Sequence, residues 1–297
     1  MGRSSVKSRH ALLAAAISIC LTACGEVPTV NGSTKTAPEK PQRVVSLDYC
    51  ADQYVLELLD REQILAVSPE ATANFSFHKS RAVEIPQVRA SAEDVLILNP
   101  DVVVLSYGGG PNAAAFFRSA GIQVVQMGWA GDIGGVKRVM RDIASALGED
   151  AKAEAVLADM QARLDRVQAD LAKTTAQSLL YATPGGITTG PGSLVHMIID
   201  LAGYQNYVAD PGWRSLPLEK LAYSQPDRVA TSFFGARIEN ADLWSAARHP
   251  LISDRLSDKA AIKLDSAWSA CGGWFLVNAV EALAAAHYRE EDDPRVR

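Results

Sequence analysis

Two glutamates stand in the same short context. In SAEDVLILNPD (91–101), Glu93 is followed seven residues later by Pro100-Asp101. In PLEKLAYSQPD (217–227), Glu219 precedes Pro226-Asp227 at the same distance. Val95, Leu96 and Leu98 fill the slots between in one, and Leu221, Ala222 and Tyr223 in the other. Taken singly, each glutamate is the acid that commonly decorates the first turn of a helix. Taken as a pair 126 residues apart in a chain of 297, they imply two similar lobes, each presenting one carboxylate.

Other residues with chemical potential are weaker. His78, His196, His249 and His287 carry no second ligand at metal-site spacing, and His196 and His287 fall inside predicted helices. Direct metal ligation is therefore not expected. The glycines of SYGGGPNAAAFF (106–117) precede a helix, as in phosphate loops, but the Gly-Lys-Ser/Thr ending is missing and the stretch reads as a tight turn. Cys271 in SACGGWF (269–275) precedes a helix, where a thiol can become nucleophilic, yet a Cys-His enzyme needs a histidine partner that the sequence does not place.

At 48% hydrophobic and 21% charged residues the chain reads as globular, and its net charge of −5 argues against a nucleic-acid partner. Arg3, Lys7 and Arg9 precede the apolar run ALLAAAISICLTA, which is too short to span a bilayer comfortably. This is the pattern of a secretory signal, residues 1–23. Leu21-Thr22-Ala23-Cys24 resembles the bacterial lipobox, so Cys24 is the expected site of lipidation and of a membrane anchor. Residues 24–41, rich in Gly, Pro, Thr and Lys, read as a flexible tether. Cys50 and Cys271 then remain in an oxidising compartment. Three fates stay open for them: a disulfide, contact with a ligand, or simple burial as small apolar residues.

Strands and helices alternate through the rest. RVVSL (43–47), QILAV (63–67), DVVVLS (101–106) and IQVVQMG (122–128) read as strands, separated by helices near 50–60, 91–99 and 112–121. EDAKAEAVLADMQARLDRVQADLAKT (149–174) has no Gly or Pro, and Val156, Met160, Leu164, Val167 and Leu171 share one helical face. It predicts one helix of about 24 residues, roughly 36 Å long. SLLYAT (178–183), RVATSF (228–233) and AIKLD (261–265) then read as strands, with helices at 193–203, 218–225 and 274–290. The fold class is α/β: two Rossmann-like βα lobes (42–148 and 175–290) joined by one long backbone helix (149–174), with a ligand cleft between the lobes and a short tail (291–297).

With these elements placed, residues 42–290 resemble the class III, helical-backbone substrate-binding proteins of ABC importers. That family takes up iron–siderophore complexes, haem and cobalamin. The resemblance rests on RVVSLDYCADQYVLEL, on Glu93 before NPDVVV, on the long helix, and on GPGSLVHMIIDLAGYQNYVAD with WRSLPLEKLAYSQPDRVA. It implies that Glu93 and Glu219 dock on arginines of a permease dimer served by ATPase subunits, where charge pairs set register and on-rate. It also implies that Trp213, six residues before Glu219, is a cleft aromatic; its counterpart before Glu93 is Gln87.

Strand carboxyl ends face the crevice in open α/β sheets. Those ends carry Ser46-Leu47-Asp48-Tyr49, Ser106-Tyr107, Trp129, Thr188-Thr189, Trp213-Arg214, Phe233-Phe234 and Trp268. Aromatic walls suit a large flat chelate. Tyr49, Tyr107, Trp213 and Trp268 are the expected ligand contacts, with Arg89 or Arg214 for an anionic group. The chain is thus expected to be a periplasmic, lipid-anchored monomer and not an enzyme, without a resident cofactor, capturing a ferric siderophore, cobalamin or haem and passing it to the permease. The alternatives are a chelatase- or reductase-type enzyme on the same scaffold, or a ligand sensor without a permease.

Overall fold

The structure, a computed structural model, describes residues 40–172, 174–232, 245–256 and 261–288. The expected signal segment, Cys24, nearly all of the expected tether, Phe233-Phe234 and the tail lie outside the described residues.

In the first lobe, Val44–Ser46 (β1), Ile64–Ala66 (β2), Val102–Leu105 (β3) and Gln123–Gln126 (β4) form a parallel sheet in the order β2-β1-β3-β4. β1 and β3, in register from Val44↔Val102 to Ser46↔Val104, are buried at every position, as central strands covered on both faces must be. The helices Tyr49–Leu58 (α1), Ala92–Ile97 (α2), Ala113–Ser119 (α3) and Ile133–Leu147 (α4) connect and flank them.

Asp150–Leu171 (α5) follows, 22 residues and roughly 33 Å long. Its buried stripe is Ala153, Leu157, Met160, Leu164 and Val167. The expected stripe is thus displaced toward the N-terminal end, with Val156 and Leu171 only half-buried.

The second lobe contains Gln177–Ala182 (β5), Ile187–Thr189 (β6), Tyr204–Asn206 (β7), Trp213–Ser215 (β8), Arg228–Ser232 (β9) and Ile262–Leu264 (β10). Its helices are Leu194–Leu201 (α6), Leu218–Tyr223 (α7), Pro250–Ser253 (α8) and Leu276–Tyr288 (α9). Its parallel sheet runs β7-β5-β9-β10, the same order as β2-β1-β3-β4 in the first lobe. β6 and β8 form a separate antiparallel pair.

The equal strand order explains half of the repeat. α2 and α7 hold the same place, each leading through Pro-Asp into the second central strand of its sheet. In both lobes the aspartate ties that strand to the neighbouring one. Asp101 Oδ2 accepts the Gln42 N–H (3.1 Å), and Asp227 Oδ2 accepts both the N–H and the Oγ–H of Ser178 (2.7 Å each). Those two bonds hold the Asp227 carboxyl below the usual range.

Period-two alternation divides the core. Val44, Val102, Val104, Leu179 and Tyr181 point into one continuous cluster that also takes Leu157 and Leu164 of α5 and Leu283 of α9. Val45, Val103 and Leu105 point to a second cluster in the first lobe, and Leu180 and Ala182 to a third in the second. Polar contacts fix α5 to both lobes. Lys152 Nζ donates to Leu58 O (2.8 Å) and pairs with Asp60 (3.1 Å), while Arg163 pairs with Glu281 (2.9 Å) and donates to Asn278 Oδ1 (2.6 Å).

α4 is not anticipated by the sequence reading. Asp132 caps it by accepting the Gly135 N–H, and Gly148, at φ 71°, ends it in the left-handed region. Gly134-Gly135 in the first turn weakens its local signal, but Val136, Val139, Met140, Ile143 and Leu147 bury one face.

Candidate functional site

The site begins where β1 and β3 end. One buried carboxylate, Asp48, joins the two strand ends. Its Oδ1 accepts the Ala51 N–H (3.0 Å), capping α1, and the Ser106 Oγ–H (2.9 Å). Its Oδ2 accepts the backbone N–H groups of Ser106 (2.7 Å), Tyr107 (3.2 Å) and Gly108 (3.0 Å). These charge-assisted bonds fix the loop after β3 against the start of α1. Gly108 is required by close approach: a Cβ there would lie 2.4 Å from Leu47 O. The glycine-rich stretch is therefore a tight turn that lets two loops touch. Asp48 is expected at the crevice-facing end of the first strand, but its clamping role is not; the local signal is an N-cap aspartate directly after a buried strand.

This arrangement sets Tyr49 and Tyr107 edge to face, with ring centroids 6.0 Å apart. Tyr49 Oη donates to Ala270 O across the lobes (3.2 Å), and burial, reinforced by the Asp48 charge, raises its pKa above the usual phenol value. From the second lobe come Tyr181 on β5 and Trp213 on β8, with centroids 6.3 Å apart. Burial pushes the Tyr181 phenol up to about 12. Thr189 pairs with Trp213 and Thr188 with Arg214, and strand alternation sends Trp213 and Arg214 to opposite faces.

Residues 270–275 join the lobes. Cys271 is bonded to Cys50, with Cα atoms 5.7 Å apart. Of the three fates open to these cysteines, the structure contains the disulfide, and both residues also line the cavity. Cys50 sits in the first turn of α1. Tyr54 Oη donates to Gly272 O (2.8 Å), Tyr54 packs edge-on against Trp274, and Phe77 stacks on Phe275 at 4.7 Å.

Between the lobes lies a cavity of about 860 Å³. Tyr49, Tyr107, Met127 and Trp129 line it from the first lobe, and Tyr181, Val195, Trp213 and Ser269 from the second. Among the described residues the lining carries no formally charged side chain. Trp129, Tyr107 and Trp213 are 86%, 56% and 57% exposed, so aromatic surface faces the opening from both lobes. Ser269 Oγ is buried in the wall with no hydrogen-bond partner among the described residues. Trp129 is the larger omission from the expected contacts, being the aromatic immediately beyond the β4 end.

The structure thus brings Tyr49, Tyr107 and Trp213 together and leaves three expected contacts elsewhere. Arg89 is exposed and pairs with Asp94 at 2.9 Å. Arg214 pairs with Asp210. Trp268 packs against the central core and is not among the described lining residues. Glu93 and Glu219 are exposed in the first turns of α2 and α7, away from the cavity lining. Each histidine among the described residues has a local partner: His78 with Glu57 (2.7 Å), His196 with Asn206, His249 with the Leu251 N–H, and His287 with Ala202 O. No group of three or more potential metal ligands converges among the described residues.

A cobalamin-binding protein of Halobacterium salinarum is 30% identical over 220 residues, 71% of this chain and 59% of that protein. The alignment thus spans about three fifths of the relative's length. An ABC transporter substrate-binding lipoprotein of Bacillus subtilis, of uncharacterised function, is 23% identical over 85% of this chain and 82% of its own. A periplasmic haem-binding protein of Pseudomonas aeruginosa has the same fold, with a TM-score of 0.67 at 23% identity over 84% of this chain and 93% of that one. Residues 44–232, from the first strand to the end of β9, match the periplasmic binding protein family. That match covers more than half of the chain and reaches into both lobes, and the chain belongs to that family.

Proposed function

We propose that the protein is the extracytoplasmic substrate-binding component of an ABC importer, a lipid-anchored monomer that captures a metal chelate and delivers it to a membrane permease dimer with its ATPase subunits. The observation that carries this is the interlobe cavity of about 860 Å³, walled by Tyr49, Tyr107, Trp129 and Trp213. Such a volume is at the upper end of small-molecule sites, about 300–1,000 Å³, and aromatic faces stack on flat ligands. In this reading Glu93 and Glu219 form the docking pair, because a duplicated lobe offers the same charge twice.

Among chelates, the geometry supports a corrinoid best. Arg89 and Arg214, the cations expected to meet an anionic group, are paired with Asp94 and Asp210. The described lining offers phenols and hydroxyls instead. Haem carries two carboxylates and catecholate complexes are polyanionic, and both would leave charge facing a wall that is uncharged among the described residues. Cyanocobalamin is neutral overall and clad in amides, which suit hydroxyl partners such as Ser269 Oγ. The name of the Halobacterium salinarum relative supports the same choice.

Titrating the protein with cyanocobalamin, haemin and a ferric catecholate while following tryptophan fluorescence tests the proposal. Saturable quenching is expected with cyanocobalamin at micromolar concentration or below, and weaker quenching with the others. Preferential binding of haemin or the ferric complex would replace the corrinoid, and no saturable binding by any of the three would overturn chelate capture.

A further inference from the structure

α2 and α7 share more than a glutamate. Four residues after Glu93 stands Ile97, 81% exposed, and four residues after Glu219 stands Tyr223, 94% exposed. The i, i+4 spacing sets each apolar side chain beside its glutamate on one helix face, with Cβ atoms about 5–6 Å apart. Between them, Val95 and Leu221 are fully buried and fix both helices to their sheets. Lone exposed apolar residues are ordinary. These two occupy the same position of the same element in two lobes of equal strand order, and chance exposure does not account for the match.

The neighbouring charges sharpen the pattern. Position 94 is acidic and position 220 basic, yet each is engaged within its own lobe. Asp94 pairs with Arg89, while Lys220 Nζ donates to Tyr207 O (2.7 Å) and lies 3.9 Å over the Tyr207 ring. The surface feature common to both lobes is therefore one carboxylate beside one apolar knob.

We infer that Ile97 and Tyr223 are the apolar anchors of two equivalent contacts with a twofold partner that presents, twice, a cation beside an apolar recess. The inference rests on the docking reading above, which makes that partner the permease dimer. Charges chiefly set register and association rate, whereas buried apolar and aromatic anchors set the dissociation rate. The two kinds of residue therefore divide the work. Tyr223, amphipathic and rigid, is the stronger anchor of the pair.

Photo-crosslinking in cells expressing the full chain tests this, with a photoreactive amino acid at position 97, 223, 93 or 219 in turn and the adduct identified by mass spectrometry. Positions 97 and 223 are expected to capture the same permease polypeptide. With that permease in nanodiscs, Ile97→Ala plus Tyr223→Ala is expected to raise the dissociation rate about tenfold with the association rate and salt dependence kept. Glu93→Ala plus Glu219→Ala should instead lower the association rate and its salt dependence. Neither pair should change cyanocobalamin quenching. Capture of the permease from 93 and 219 but not from 97 and 223 would overturn the anchors while leaving the docking reading intact. Capture of a second copy of this chain, or of no permease from any position, would overturn both.

Discussion

Replacing Cys50 and Cys271 together by alanine removes the covalent link between the lobes, and its effect can be worked out in advance. The bond closes a loop with a sequence separation of 221 residues. In the chain-entropy treatment, freeing a loop of that size returns about 5 kcal/mol of conformational freedom to the unfolded chain. The native side loses little, because the neighbouring contacts do not depend on sulfur. Tyr54 still bonds Gly272 O, Phe77 still stacks on Phe275, and the central cluster still runs through both lobes. The double variant should therefore fold to the same structure and melt lower, by about 10–20 °C for a domain of this size. Its denaturant m-value should rise, because an uncrosslinked chain exposes more surface when unfolded. Far-ultraviolet circular dichroism against temperature and urea, with solution scattering of the native state, reads all three quantities. A loss below about 1 kcal/mol would refute the entropic account. Two free thiols in the alkylated, non-reduced parent would remove its premise.

Four further outcomes are expected. Trp213→Ala and Trp129→Ala should each weaken cyanocobalamin binding by about 1–2 kcal/mol, a loss typical of buried aromatic contacts, with melting temperature unchanged; equal loss of stability would mean core packing instead. Asp48→Ala should cost about 3 kcal/mol or more of stability and weaken the ligand, since it strands four backbone N–H groups and frees both the Tyr49 and Tyr107 segments; Asp48→Asn, which keeps an acceptor, should recover part of it. The radius of gyration should change little on ligand binding, because α5, the disulfide and the aromatic contacts of 270–275 all join the lobes; a large decrease in scattering would contradict this. Asp52, fully buried and bonded to Ser68, has its pKa raised from 3.8 to about 6, chiefly by burial. The folded state then binds the extra proton, so stability falls as pH rises from about 4 to 6, reaching a cost of about 3 kcal/mol at neutral pH. Asp52→Asn keeps acceptor and donor for Ser68 and should gain on the parent across that window in melts from pH 4 to 7.5; a pH-independent difference would sink the assignment.

Much of the architecture is legible in the sequence because burial on both faces leaves valine-rich runs at β1 and β3, and because α5 has no helix breaker over 22 residues. α4 is harder to see, since glycines at 134 and 135 mask a face that only tertiary packing completes. Three-residue strands such as β7 and β8 are too short for periodicity to declare, so Trp213 and Arg214 read as neighbours at one strand end. Pairing with β6 separates them, one toward the cavity and one toward Asp210. Asp48 is hidden for a different reason: its role depends on the Ser106–Gly108 loop 58 to 60 residues away, which no local pattern records.

What is duplicated and what is not divides the surface of the molecule. The strand orders match, the Pro-Asp corners match, and α2 and α7 present a glutamate and an apolar side chain at the same two positions. The cavity walls do not match. The first lobe contributes Tyr49 from the first turn of α1 and Tyr107 from the loop after β3, clamped together by Asp48, whereas the second contributes Trp213 from an antiparallel pair with no counterpart among the described residues of the first lobe. A ligand held between unlike walls binds in one orientation and imposes no symmetry on the protein. A partner with two identical subunits requires two alike contacts and is indifferent to the cavity. Selection for one asymmetric ligand and one symmetric partner would leave this distribution, with divergence at the strand carboxyl ends and one glutamate beside one apolar side chain kept on each of the two outward helices. Exchanging the two segments 91–99 and 217–225 tests the division directly. Docking should survive in the exchanged protein, because each lobe still displays one glutamate and one apolar anchor, whereas transplanting residues 213–215 into the first lobe should abolish ligand binding. Loss of docking on the helix exchange, in a variant that still folds and binds cyanocobalamin, would show that the two contacts are not equivalent.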